Sequence, residues 1–165
     1  MKRRGLSLLE MMASTTIMAA VMGAVVVVVQ SSYACWNAHE SDLDIEENAY
    51  AVLSHFVREM RQATAVTAIS AANNNAGSLS ITNAAGTTET WAITGTTVTF
   101  NNGTGAQNLA KSINQLTFVG YQPDGTTATT TVANIQMVKC TVQVTLSHGA
   151  GLTRTVSTTA WVRSW

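Results

Sequence analysis

The chain has 165 residues with nine acidic and nine basic side chains, and only 11% of its residues are charged. A balance this even and this sparse excludes a nucleic-acid-binding field or a polyanionic substrate groove as the chain's organising feature. The length holds one small domain together with a segment of a different character.

That segment comes first. A short basic leader, Met1-Lys2-Arg3-Arg4-Gly5, runs into an apolar stretch from Leu6 to Val29 in which Glu10 is the only charge. As a helix, about 24 apolar residues reach across the hydrocarbon core of a bilayer, which needs roughly 20. Lys2, Arg3 and Arg4 precede the span and no base follows until Arg58, so the positive-inside bias places the leader in the cytoplasm and everything beyond Val29 outside it. Tyr33 and Trp36 stand where the span would emerge, a level that suits amphipathic aromatics. An ionised side chain in lipid costs about 2.5–3.5 kcal/mol at the centre and less toward the headgroups, so Glu10 asks for a partner. The alternatives explain it less well. A secretory signal cut after Ser32-Tyr33-Ala34 would need a shorter apolar run and has no use for an acid. Lipidation at Cys35 would want a leucine-like residue at Ser32, and a plain membrane anchor leaves Glu10 an accident.

The run Arg3-Arg4-Gly5-Leu6-Ser7-Leu8-Leu9-Glu10 resembles the processing site of type IV pilins and pseudopilins. The resemblance implies cleavage between Gly5 and Leu6 by a prepilin peptidase, N-methylation of the new Leu6 amine, and Glu10 as fifth residue of the mature chain. The resemblance assigns Glu10 to assembly. A new ammonium on one subunit and a carboxylate on its neighbour would neutralise each other where an unpaired charge is costly. Leu6 stands where the family usually has phenylalanine, and the helix lacks the mid-span proline common in pilins. Removing Lys2, Arg3 and Arg4 would leave six bases against nine acids.

After the span, Glu40, Asp42, Asp44, Glu46 and Glu47 crowd together. A solvated helix face is the simpler reading, since residues 42–47 lack the glycine a calcium loop needs. From Ile45 the apolar residues Ala49, Val52, Leu53, Phe56, Val57, Met60 and Ala63 recur at helical spacing. No proline or glycine interrupts residues 24–76, so one helix is expected from about Leu6 to about Thr64. Its end, from Phe56 to Ala63, is similar to that of J-type minor pseudopilins and related minor pilins, though Arg58, Glu59 and Arg61 also read as ordinary solubilising charges.

Beyond Thr64 the chain turns to Ala, Thr, Asn, Ser and Gly, with a surface loop expected at residues 73–77. Strands are expected at 78–82, 90–94 and 96–100, with Leu79, Ile81, Trp91, Ile93, Val98 and Phe100 facing inward. Residues 116–121 lead into the turn Gln122-Pro123-Asp124-Gly125, and 132–146 with 152–162 read as a long hairpin. β-Branched alternation suits an antiparallel sheet with one face on the helix. The order Leu-x-Phe-x-x-Tyr, glycine turn and terminal hairpin resembles the J-type pseudopilins more loosely than the leader does.

Cys35 and Cys140 lie on the side where disulfides persist, and closing so long a loop would be worth about 4–5 kcal/mol. Cys35 also sits close to the membrane exit, so whether they bridge stays open. His39, His55 and His148 show no metal-ligand spacing, and no nucleophile motif appears, so neither catalysis nor a cofactor nor a metal is expected.

The expectation is an α+β protein of the type IV pilin fold: leader 1–5, helix 6–64, and an extracytoplasmic antiparallel β-sheet domain 65–165. The resemblance makes it a structural subunit of a type II secretion pseudopilus or a type IV pilus, resident in the inner membrane before assembly. Its implied partners are sister subunits through the helix, the prepilin peptidase and an inner-membrane assembly platform, with secreted cargo or DNA open. A membrane-tethered binding domain that never polymerises is the alternative.

Overall fold

The structure, a computed structural model, describes residues 7–147 and 151–162. The leader, with Gly5 and Leu6, lies outside the described residues, as do the hairpin turn at 148–150 and Arg163. The chain divides into two compact units, Met1–Glu40 and Ser41–Trp165.

One α-helix, α1, runs from Leu8 to Met60. It opens on Ser7, whose hydroxyl accepts the backbone N–H of Glu10 at 3.3 Å and so satisfies one of the donors that a helix start leaves bare. Within the first unit the helix is exposed throughout residues 7–37, including Met11, Ile17, Val21, Val25 and Val28. Thr15 and Thr16 turn their hydroxyls onto carbonyls of the preceding turn, which lets polar side chains sit in an apolar run without an unpaired donor.

In the second unit the same helix buries one stripe: Asp42, Ala49, Val52, Leu53, Phe56 and Met60. It ends at Met60 rather than near Thr64. Gln62 N–H bonds the Glu59 carbonyl at 2.9 Å, a tightened last turn. The following Ala-Thr-Ala-Val-Thr-Ala-Ile is rich in β-branched residues and forms strand β1, Ala63–Ile69. Ala63, expected as the last rung of the helical stripe, is buried as the first residue of that strand.

The strands make two antiparallel sheets where one was expected. The first has the order β1, β2 (Ser78–Asn83), β3 (Thr88–Thr94), β4 (Thr97–Asn101), β5 (Ala106–Ala110). In the second, β7 (Ala128–Thr129), β6 (Ile113–Tyr121), β8 (Met137–Thr145) and β9 (Thr153–Trp161) stand in that order. A short 3₁₀ turn at Val132–Asn134 takes up the start of the expected hairpin. The predicted strand positions 78–82, 90–94 and 96–100 fall on β2, β3 and β4. Leu79, Ile81, Trp91 and Val98 are fully buried, and Ile93 and Phe100 pack at the core's margin.

One core joins the helix to both sheets. The Phe56 ring lies 6.0 Å from Trp91 of the first sheet and 6.0 Å from Phe118 of the second. His55 stacks edge-on to Phe100, with centroids 4.4 Å apart. Such ring pairs add to the area that each aromatic removes from water. The loop at 73–77 stitches the sheets together: Gly77 N–H donates to the Leu116 carbonyl at 2.7 Å, and Leu116 N–H returns a bond to Asn75 at 2.9 Å. A β-carbon on Gly77 would stand 2.6 Å from that Leu116 oxygen, so the close approach of the two backbones requires glycine.

Candidate functional site

The sequence directs attention to the helix start. Glu10 lies in the first turn of α1, exposed, three residues after the capping Ser7. Ser-x-x-Glu ahead of an apolar run is a helix-start signature, and a carboxylate there meets the positive end of the helix dipole, worth about 0.3–1 kcal/mol at an exposed site. That local role accounts for an acid in the first turn. It does not account for the 19 apolar and small polar residues that follow, all exposed.

Residues 8–60 form the helix that is long and apolar enough to cross a membrane, and its apolar window buries nothing within the protein. Val21, Ala24, Val25, Val28 and Val29 line a shallow apolar groove of about 320 Å³ along it. Gly5 and Leu6, the expected processing pair, fall outside the described residues, so the geometry at the site begins at Ser7.

The remaining sequence candidates do not gather at this place. Cys35 is an exposed free thiol on the helix of the first unit. Cys140 is a buried free thiol on the inner face of β8, opposite Phe118, and burial pushes its pKa up. His55 is ringed by Trp91, Phe100 and Glu59, His39 lies in the first unit, and His148 is outside the described residues. Arg58 pairs with Glu59 at 2.9 Å on the exposed helix surface.

Two acids of the cluster from Glu40 to Glu47 have structural work that the sequence reading missed. Asp42 is 4% exposed and accepts from the backbone N–H of Ser147 at 2.6 Å and from its hydroxyl at 2.7 Å, fastening the helix to the end of β8. Glu46 pairs with Arg154 of β9. The signal was present in the spacing: Asp42, Ile45, Ala49 and Val52 extend the buried stripe toward the N-terminus at steps of three and four, which puts Asp42 inside. Glu40, Asp44 and Glu47 are exposed, as a solvated face would be.

No protein-family model matches the chain, and no curated protein matches it.

Proposed function

We propose that the chain is a structural subunit of an extracytoplasmic filament, a minor pseudopilin or minor pilin, held in the inner membrane by its apolar helix until the leader is removed. A prepilin peptidase cuts between Gly5 and Leu6, and the freed Leu6 amine is methylated. Glu10 then receives the positive terminus of a neighbouring subunit as the helices stack.

One observation carries this reading: a helix that leaves its whole apolar first part exposed while holding a single carboxylate in its first turn. An apolar surface of that extent needs another apolar medium, either lipid or sister helices. The lone acid is a liability in both unless a cation meets it, and the basic leader ending at Gly5 supplies a means of making one. The sheet domain then presents the surface that sister subunits, the assembly platform or cargo would read.

Intact-mass analysis of the chain co-expressed with a prepilin peptidase tests the reading directly. A mature chain beginning at methylated Leu6 is expected; an unprocessed Met1 terminus in the presence of active peptidase sinks the proposal. Glu10→Ala should abolish incorporation into filaments while the processed chain still inserts and its sheet domain melts as the wild type does.

A further inference from the structure

A sheet edge carries unpaired backbone groups and is a template for another strand unless something blunts it. Among the described residues, three sheet edges are blunted. β1 is bulged twice along its pairing with β2 and packs against the 3₁₀ turn. β5 has five residues and pairs across a bulge, and β7 has two. β9 differs: nine residues, in unbroken register with β8 from Thr153 to Trp161, with no proline and no bulge. Its one charged residue, Arg154, is engaged by Glu46.

The ladder fixes which groups are free. Leu146 N–H bonds the Leu152 carbonyl and Val162 N–H bonds Gln136, so the even-numbered residues of β9 spend their backbone groups on β8. Thr153, Thr155, Ser157, Thr159 and Trp161 turn theirs outward, and the side chains of all five are exposed. Every one of the five is uncharged.

We propose that this edge pairs with β9 of a second copy, antiparallel about a two-fold axis through Ser157, joining two four-stranded sheets into one. In that register all five outward residues find partners: Ser157 meets its own mate, Thr155 meets Thr159, and Thr153 meets Trp161. Neutral β-branched pairs and an aromatic over a threonine are favourable cross-strand neighbours, and no like charges are opposed. The same register explains two exposed apolar side chains. Trp161 is 54% exposed and gains Thr153 of the second copy, while Leu152, 55% exposed, falls opposite Val162 on the inward side. There a groove of about 280 Å³ lined by Val57, Arg61, Thr159, Ala160 and Trp161 lies open to receive it. The contact is isologous and closes on itself, so it pairs subunits two by two and is distinct from any head-to-tail filament contact.

Sedimentation velocity of the full chain in detergent micelles tests the pairing. The wild type should dimerise with concentration, and Ser157→Pro should weaken the dimer by about tenfold or more, because it removes only an outward N–H that β8 does not use. Ser157→Lys sets two like charges face to face at the axis and should do the same, which keeps the test alive if the proline variant fails to fold. Oxidising Ser157→Cys in a Cys35→Ser background should link the two copies covalently. A wild type that stays monomeric, a dimer indifferent to both substitutions, or the absence of that covalent link each overturns the proposal.

Discussion

The two stretches of α1 are one helix in backbone geometry and two different objects in chemistry. Before Glu40 its valines and methionines are exposed on every side. After Ser41 a buried apolar stripe appears, and the remaining faces carry Asp44, Glu47, Ser54 and Arg58, with Leu43 and Tyr50 the large apolar side chains left exposed among them. A helix apolar all round belongs in an apolar medium, whereas a striped one belongs on a core. Hydrogen bonding along the helix is alike in both, so what distinguishes them is where each hides its side chains. The first buries none of its side chains among the described residues, and the second packs its stripe into the core it shares with the two sheets.

The sharpest way to break that contrast is to truncate an apolar side chain in each part. Phe56 is fully buried and touches both sheets, so Phe56→Ala should cost the sheet domain about 3–5 kcal/mol through lost transfer energy and the cavity left behind. With total stabilities of about 5–15 kcal/mol, that is a large fraction, visible as an early urea midpoint. Val25→Ala, on the exposed part, should leave that midpoint where it was. Equal shifts in the two variants would mean that the chain covers its own first helix segment.

A smaller effect sharpens the boundary between the parts. Asp42 is the first helix residue with a buried role, and Asp42→Ala removes the acceptor of both Ser147 bonds. The loss should be about 2 kcal/mol, since a hydrogen bond to a charged group is worth more than a neutral one and the Ser147 N–H is left without it. Asp44→Ala, two residues on and exposed, should change the urea midpoint by less than about 0.5 kcal/mol equivalent. Matching shifts would return the whole acidic cluster to the role of a solvated face.

Legibility in the sequence follows the same division. The apolar run, the helical stripe from Ala49 to Met60 and the inward residues of β2 to β4 could all be read from periodicity, because one burial environment governs each. Asp42 was misread because charge outweighs position when a residue is judged alone. The strand β1 was hidden because Ala-Thr-Ala-Val follows an uninterrupted helical pattern with no glycine or proline to mark the change, and only packing against β2 decides it. β5, with Gln107 and Asn108 at its centre, has too little apolar pattern to announce a strand. The way the two sheets meet was hidden too, because the backbone contact that joins them links Gly77 to Leu116, 39 positions apart, and leaves no local trace. Of the candidate site, Glu10 was legible as a charge out of place, while its hydrogen-bonded cap on Ser7 was overlooked although Ser-x-x-Glu spells it out.

The smallest expected effect lies at the surface of the sheet domain, where a carboxylate is held by the chain's own turn. Asp124 binds the Thr127 hydroxyl through one oxygen, while the other accepts the backbone N–H groups of Thr127 and Thr126, each at 3.0 Å. The Thr127 hydroxyl is the main cause, followed by the backbone bonds, and together they hold the carboxyl at about 2 against an ordinary 3.8. The folded pKa lies below the unfolded one, so the turn's contribution is complete above pH 3.8 and fades as pH falls through about 2. The Thr126 and Thr127 amide resonances should therefore titrate together near that lower value, and Asp124→Asn should erase the step while leaving the urea midpoint at neutral pH where it was. Amides that titrate instead near 3.8 would show that the turn leaves Asp124 unheld, and that water alone sets its charge.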